Sequence, residues 1–155
     1  MTQRQQERDA ERARRRRPFE DVAVDDVLPE LSWTITREQI REYAEASGDD
    51  NALHLDDDVA RAVGIDGVIA HGMLTMGILA SCIVGWAGDE GALVKLKSPF
   101  RATVAPGETV VAGGRVRSLR PEERTAKLEI WVRSERADGS IGDPIRRSEA
   151  LVRLG

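Results

Sequence analysis

Cysteine is almost absent from this chain of 155 residues, in which Cys82 is the only one. A single thiol has no intrachain partner, so a disulfide framework is excluded. Cys82 also falls within an apolar stretch, where burial raises the pKa of a thiol and leaves it unreactive. We therefore expect no cysteine nucleophile. We also expect no metal site, because structural zinc centres usually recruit several Cys or His ligands.

An apolar run of the length that a membrane-spanning helix needs, about 20 residues, is also missing. The stretch from His71 to Ala87 carries no charged side chain, but it is shorter than that. A secretory signal is not recognisable either. We expect a protein that resides in the cytoplasm and is not embedded in a membrane.

Net charge is low over the whole chain, at −4, but it is unevenly distributed. Residues 1–17 hold seven arginines against three acidic side chains, whereas residues 18–155 hold 16 basic and 24 acidic side chains. An acidic body argues against nucleic-acid binding. We predict a disordered basic arm over residues 1–17, followed by a single domain over residues 18–155. Alternatively, the arm could bind RNA, an acidic carrier protein or a membrane surface.

The most informative stretch, Ile69–Trp86, is apolar or small on every side of a helical wheel. A surface helix would show a polar face, so this pattern predicts a helix that is buried nearly all round. Glycine costs a helix interior about 1 kcal/mol relative to alanine, so its glycines indicate close packing, which we expect a curved sheet to provide. The helix begins at His71-Gly72, where free backbone N–H groups and the positive end of the helix dipole suit a developing oxyanion.

Caps and periodicity predict the elements around this helix. Thr36 and Gln39 form a capping box for one helix, which Gly48 ends, and Asp56 caps a second, short helix. Alternating or β-branched residues then predict strands over residues 31–35, 92–101, 109–119, 125–135 and 144–154. Helices first and strands later indicate an α+β domain, in which a meander of consecutive antiparallel strands curls round the apolar helix.

Only two histidines, His54 and His71, are available for acid–base chemistry near neutral pH. Asp49 and His54 lie five residues apart in one loop, where a carboxylate and an imidazole on either side of a water could move protons. A loop Asp and His also often serve only to stabilise a turn, so both interpretations stay open. We interpret Asn51 as turn-forming, and His71 as a structural residue or a neighbour of the site.

Two motifs together carry a family resemblance. The first is Ser47-Gly48-Asp49-Asp50-Asn51-Ala52-Leu53-His54 with Ala60 beyond it, and the second is Ile69-Ala70-His71-Gly72-Met73-Leu74. In this order they resemble the MaoC-like dehydratases, also called hydratase-2 or R-specific enoyl-thioester hydratases, which have the hot-dog fold. The resemblance begins near Phe19, and Ala52 stands where the family usually has proline. In particular, the stretch Ile69–Gly77 and the later Trp86-Ala87-Gly88-Asp89 resemble the catalytic HadB-type subunit of the actinobacterial (3R)-hydroxyacyl-carrier-protein dehydratase.

The resemblance implies a hydratase or dehydratase of acyl thioesters, with Asp49 and His54 as the catalytic pair and the Gly72 N–H binding the thioester oxygen. It implies no metal or redox cofactor, since the substrate itself carries coenzyme A or phosphopantetheine. We expect the following residues to bind substrate: Asn51, His71, Met73, Gly77, Lys95 and Lys97. The two lysines would bind its phosphate groups. The family also implies a dimer, formed with a second copy or with a sister hot-dog subunit.

Two other functions remain open at this point. One is a non-catalytic, acyl-binding subunit of a two-subunit hot-dog assembly, although such subunits typically lack the Asp and the His. The other is a hot-dog thioesterase, which would release free acid from an acyl thioester without hydrating an enoyl group.

Overall fold

The computed structural model describes Glu11 and residues 15–155. The elements of this part include three α-helices and five β-strands. The helices are α1 (Arg37–Ser47), α2 (Asp57–Ala62) and α3 (Gly72–Ala87). The strands are β1 (Leu31–Thr34), β2 (Leu93–Lys97), β3 (Thr109–Arg120), β4 (Thr125–Glu135) and β5 (Ile141–Arg153). None of these helices is long and apolar enough to span a bilayer.

The helix ends lie where local sequence signals predict them. The Thr36 hydroxyl accepts the Gln39 N–H (3.2 Å), and the Gln39 side chain accepts the Thr36 N–H (3.0 Å), which confirms the capping box. Gly48 ends α1 with a φ of 74°, a left-handed conformation that glycine adopts without a steric penalty. Asp56 caps α2 by accepting two backbone N–H groups of its first turn.

The described strands form one antiparallel sheet in the order β1-β3-β4-β5-β2. The hairpins β3–β4 and β4–β5 confirm part of the predicted meander. The prediction is wrong for β2, which lies at the far edge against β5 instead of beside β3. The connection explains this, because Pro99 and Pro106 cannot donate to a strand ladder. Strand β2 therefore ends at Lys97 rather than at residue 101. The chain then continues to β3, which lies next to the opposite edge strand β1.

Helix α3 lies at the centre of the curled sheet. Its side chains Leu79, Ile83 and Trp86 are buried in one core cluster with the apolar strand residues. Burying a side chain of this size contributes roughly 1.5–3 kcal/mol. Cys82 is buried there too, and burial raises the pKa of its thiol, as expected of an unreactive cysteine. A curled antiparallel sheet around a central helix confirms the α+β prediction and the hot-dog fold.

One face of α3 departs from the prediction of burial all round. Met73, Gly77, Ser81 and Gly85 are each four residues apart and all exposed, and the exposed fraction of Met73 reaches 56%. A Cβ at Gly77 or Gly85 would meet no atom within 4 Å, so these glycines do not serve close packing within this chain. The sheet curls round only part of the helix, and this stripe lies on the side that the sheet leaves open.

Two arginines of the predicted arm contact the end of α3. Arg17 donates through its backbone N–H and its Nε to the last carbonyl groups of α3 (2.8 and 3.0 Å), and Arg16 pairs with Asp89 (2.9 Å). Both cations lie at the C-terminus of α3, where the helix dipole favours positive charge. The disordered arm over residues 1–17 stays a prediction, because residues 1–10 and 12–14 of that arm lie outside the described residues.

Candidate active site

The loop between α1 and α2 carries the first candidate residues. The Ser47 hydroxyl accepts the Asp49 N–H (3.2 Å), which turns the chain at the end of α1. The Asn51 side chain accepts the Leu53 N–H (3.0 Å) and so caps the short 3₁₀ turn Ala52–His54. Asn51 therefore forms the turn, as its position in the loop predicts, and its side-chain oxygen is already engaged.

His54 is half-buried, and a hydrogen bond sets the orientation of its ring. Its Nδ1 lies 2.8 Å from the Ile69 carbonyl oxygen. A carbonyl oxygen only accepts, so Nδ1–H is the donor, and Nε2 keeps a free lone pair in the neutral ring. His54 can therefore accept a proton at Nε2. Because Ile69 lies three residues before Gly72, the same bond ties the loop to the start of α3.

His71 is buried, with 1% of its surface exposed, and it contacts both loop residues. Its Nε2–H donates to the Asp49 carbonyl oxygen (2.9 Å). Its ring stacks on that of His54, with centroids 3.8 Å apart, and the Tyr43 ring lies against it at 4.9 Å. This burial favours a role in positioning Asp49 and His54 over the substrate contact expected from the sequence.

The side chains of Asp49, His54 and His71 form one compact cluster. A donor or acceptor atom of each lies within 4.8 Å of those of the other two. One water molecule can bridge groups at this separation, since each of its hydrogen bonds spans about 2.8 Å. The cluster suits a metal ion poorly, because imidazole lone pairs lie in the ring plane. Two stacked rings, inclined by 27°, do not direct them at one ion about 2.1 Å from both nitrogens.

The N-terminus of α3 supplies hydrogen-bond donors beside this cluster. The N–H groups of Leu74 and Thr75 donate to the His71 carbonyl oxygen. Those of Gly72 and Met73 have no acceptor among the described residues. Free N–H groups at the positive end of a helix dipole form an anion-binding position. The structure thus leaves the Gly72 N–H available for a negatively charged oxygen.

Two aromatic residues of this region were not singled out in the sequence. A Cβ at Gly72 would lie 2.9 Å from the Phe100 ring, so only glycine fits there without displacing the ring. The second is Tyr43 on α1, whose ring contacts His71. No local signal marks either residue, because only the tertiary fold brings them to these partners.

A groove of about 510 Å³ lies between α1 and α3. Tyr43 lines the groove, and its ring also contacts His71 of the cluster. Gly77, one of the expected substrate-binding residues, lines it, and Met73 is exposed at the start of α3. Other apolar side chains of the groove come from β1 and α3: Leu31, Trp33, Leu74 and Ile78.

Lys95 and Lys97 are not brought to the cluster. Between them, Leu96 pairs with the buried Ala150 and faces the core, so both lysines lie on the outer face of the sheet. They line a separate pocket that includes no residue of the cluster. Within one chain, the structure therefore does not place these two lysines beside Asp49 and His54.

Comparison with known proteins identifies a family whose members resemble this chain. The family described as MaoC like domain matches residues 19–135. A 3-hydroxybutyryl-CoA dehydratase of Methylorubrum extorquens is 30% identical over 138 residues, which cover 88% of this chain and 83% of that protein. An (R)-specific enoyl-CoA hydratase of Rhodospirillum rubrum is 33% identical over 107 residues, which cover 68% of this chain and 74% of that protein.

A solved structure agrees with these sequence matches. A structure described as a MaoC-like dehydratase superposes with a TM-score of 0.78 at 33% identity. The match covers 91% of this chain but 43% of the other, so this chain spans less than half the length of that protein. The two motifs identified in the sequence and the fold thus point to the same family.

Proposed function

The chain belongs to the MaoC-like dehydratase family, and we propose that it catalyses the reversible addition of water to a trans-2-enoyl thioester, giving the (3R)-3-hydroxyacyl thioester. One observation supports this most directly. The Asp49 carboxylate and the His54 imidazole lie within 4.8 Å of each other, beside a helix N-terminus with free N–H groups. Two groups that exchange protons and a donor for an oxyanion are what this reaction requires.

The Gly72 N–H has the role of stabilising the thioester oxygen. When water adds to C3 of an enoyl thioester, negative charge develops on the carbonyl oxygen as an enolate forms. A donor that is already in place meets this charge without reorganisation, and removing one such donor costs about 10²–10³-fold in rate in other enzymes. The free Gly72 and Met73 amides are the donors that the structure offers at this position.

Asp49 and His54 have the role of moving the two protons. As the water oxygen bonds to C3, one of the two groups accepts a proton from that water. A proton then passes from the pair to C2, where the enolate electrons form the new C–H bond, so atoms and charge balance over the cycle. The Nε2 of His54 and the exposed Asp49 carboxylate are the two groups that the structure offers for these transfers.

The substrate that we propose is an acyl-CoA, because the two relatives are named for CoA thioesters. An acyl-carrier-protein thioester presents the same reacting group and is the alternative. Adding water involves no net oxidation or reduction, and backbone amides take the place of a Lewis acid, so we propose that neither a metal nor a redox cofactor takes part. We also propose that the enzyme resides in the cytoplasm.

We further propose that the chain acts as a dimer, with a second copy or with a sister hot-dog subunit. Strands β1 and β2 are the two edges of the sheet, and an edge strand can pair with another chain. Trp33 on β1 is 47% exposed, which leaves apolar surface beside one of these edges. The finer resemblance to the HadB-type subunit stays a prediction.

Hydration of crotonyl-CoA by the purified full-length chain tests the proposed function. We expect the ultraviolet absorbance of the conjugated thioester to fall, and a (3R)-specific dehydrogenase, but not a (3S)-specific one, to oxidise the product. Release of free thiol without loss of the enoyl group would identify a thioesterase instead. No hydration of either crotonyl-CoA or crotonyl-carrier protein would overturn the proposal.

A further inference from the structure

All three lysines of the chain lie around one pocket. The sequence holds 23 basic side chains, of which only Lys95, Lys97 and Lys127 are lysines. These three line a pocket of about 220 Å³ on the outer face of the sheet. The arginines are spread along the chain and form the other ion pairs of the described residues, for example those with Asp57 and Glu129. Lysine is thus confined to this pocket.

The strand register shows how the three lysines converge. Lys127 on β4 pairs with Leu151 on β5, which in turn pairs with Lys95 on β2, and Lys97 lies two residues farther along β2. Paired residues share a face of a sheet, and neighbouring strands lie about 4.8 Å apart. The Cα atoms of Lys127 and Lys95 are therefore roughly 10 Å apart. Long, flexible lysine side chains can close on one small anion across that distance.

The pocket carries more positive than negative charge. Four cationic side chains line it, the three lysines and Arg120, against the single acid Glu149. Lys127 pairs with Glu149 (2.7 Å) and is the main reason that the pKa of this carboxyl lies below its usual range, with Lys97 and Lys95 adding to the effect. Lys95 and Lys97 form no ion pair with another described residue, so their charge is available to a ligand.

Thr125 adds an unsatisfied hydroxyl to the wall of this pocket. It is 2% exposed, and its Oγ1 has no hydrogen-bond partner in the described part of the chain. A buried polar group without a partner costs about 1–3 kcal/mol. A ligand rich in acceptor oxygens would offset that cost as well as the repulsion among the ammonium groups. A phosphate group has both properties.

A short stretch of chain joins the pocket to the start of α3. Strand β2 ends at Lys97, and three residues later the Phe100 ring packs against Gly72. An extended chain advances at most about 3.5 Å per residue, so the Cα atoms of Lys97 and Phe100 lie within roughly 11 Å of each other. In an acyl-CoA, a long pantetheine arm separates the thioester from the phosphates. A phosphate site is therefore expected at a distance from the catalytic cluster rather than beside it.

We propose that the pocket lined by Lys95, Lys97 and Lys127 binds a phosphate group of the coenzyme A portion of the substrate. The inference rests on the proposed function for its choice of ligand. The same chemistry would also bind a free phosphate or nucleotide, so the experiment compares these sources directly.

Nuclear magnetic resonance can observe the pocket without catalysis. Reductive ¹³C-methylation of the full-length chain keeps the lysine charge and labels only these three side chains and the terminal amine. We expect coenzyme A and adenosine 3′,5′-bisphosphate to shift the three lysine signals and pantetheine to leave them in place. Dephospho-CoA, which lacks the 3′-phosphate, distinguishes the 3′-phosphate from the pyrophosphate. If it does not shift the lysine signals, the pocket binds the 3′-phosphate; if it does, the pocket binds the pyrophosphate.

Steady-state kinetics then tests the link to the substrate. In the double variant Lys95→Gln/Lys97→Gln, we expect KM for crotonyl-CoA to rise about five- to tenfold, because two partly exposed charge contacts are lost. We expect little change in kcat. KM for crotonyl-pantetheine, which has no phosphate, should stay within about twofold of wild type. The matched control is Arg117→Gln, which removes a charge from the same face but from an ion pair outside this pocket.

The outcomes distinguish this inference from the proposed function. Lysine shifts with coenzyme A in a chain that hydrates no enoyl thioester would reject the proposed function and retain the phosphate site. Shifts with inorganic phosphate that coenzyme A does not exceed would assign the site to a free phosphate and overturn the coenzyme A assignment. Shifts with none of these probes would overturn the inference entirely.

Discussion

The imidazole rings of His54 and His71 stack on each other, with centroids 3.8 Å apart and planes inclined by 27°. Each ring also donates one hydrogen bond to a backbone carbonyl, His54 to Ile69 and His71 to Asp49. Each bond runs from one of the two sequence motifs to the other. The histidine pair thus joins the loop that carries Asp49 to the segment that begins α3, and it holds both parts of the proposed site together.

His71→Phe tests this positioning role. The variant keeps a planar ring for the stack but loses the donor to the Asp49 carbonyl. We expect kcat for crotonyl-CoA to fall about tenfold or more with little change in KM, because small displacements of a catalytic group cost up to 10²-fold. His71→Gln keeps an N–H donor and should retain more of kcat. Thermal unfolding followed by circular dichroism controls for stability, and a wild-type kcat in the Phe variant would contradict the role.

Gly72→Ala tests the start of α3 as the oxyanion donor. Its Cβ would lie 2.9 Å from the Phe100 ring, so the ring or the amide must move. We expect kcat/KM to fall roughly 10²–10³-fold if the amide is displaced. Gly85→Ala, the control on the same helix, meets no atom within 4 Å and should only raise the free energy of unfolding, by up to about 1 kcal/mol.

The double variant Gly72→Ala/Phe100→Ala isolates the clash in that experiment. Truncating the ring makes room for the added Cβ, so part of the lost kcat/KM should return. If the double variant is no more active than Gly72→Ala alone, the loss does not come from contact with Phe100.

Asp49→Asn and His54→Ala test the proton-transfer pair. Each removes a group that must accept or donate a proton, so we expect kcat to fall about 10²–10⁴-fold. Asp50→Asn is the matched control, since it makes the same change at the exposed neighbouring residue. Hydration rates of crotonyl-CoA measure all three, and unchanged rates in both Asp49→Asn and His54→Ala would reject the assigned roles.

The lowered pKa of Asp57 should make the stability of the fold depend on pH. Its carboxylate accepts from the Arg37 guanidinium and from the Val68 N–H, and these bonds, the one from Arg37 first, hold its pKa below the usual range. Because the folded pKa is lower than the unfolded one, its contribution is fully present above about pH 4 and is lost as the pH falls through the folded value. Asp57→Asn should therefore lower Tm at neutral pH.

Thermal melts of wild type and Asp57→Asn over a pH series measure this contribution. The difference in Tm should shrink as the pH falls below about 4, where the wild-type carboxyl also becomes neutral. A difference that stays constant into strong acid would show that the carboxylate charge does not stabilise the segment around Val68.

Features that depend only on residues close together in the sequence could be predicted from the sequence alone. The capping box of Thr36 and Gln39 and the left-handed Gly48 depend on hydrogen bonds within one turn of chain. The apolar character of α3 and the motif containing Asp49 and His54 are equally local. These features were enough to identify the helices, the family and the candidate catalytic residues.

Only the tertiary structure decided which distant groups meet. It pairs β2 with β5, exposes the stripe that includes Gly77 and Ser81, and places Lys127 beside Lys95 and Lys97. It also places Tyr43 and Phe100 against the residues at the N-terminus of α3. Strand partners and ring contacts depend on how the whole core packs, and residues that are far apart in the chain carry no local signal of that choice. Neighbours in the sequence determine caps and turns, whereas the chemistry of a residue at the site depends on partners that only the fold supplies.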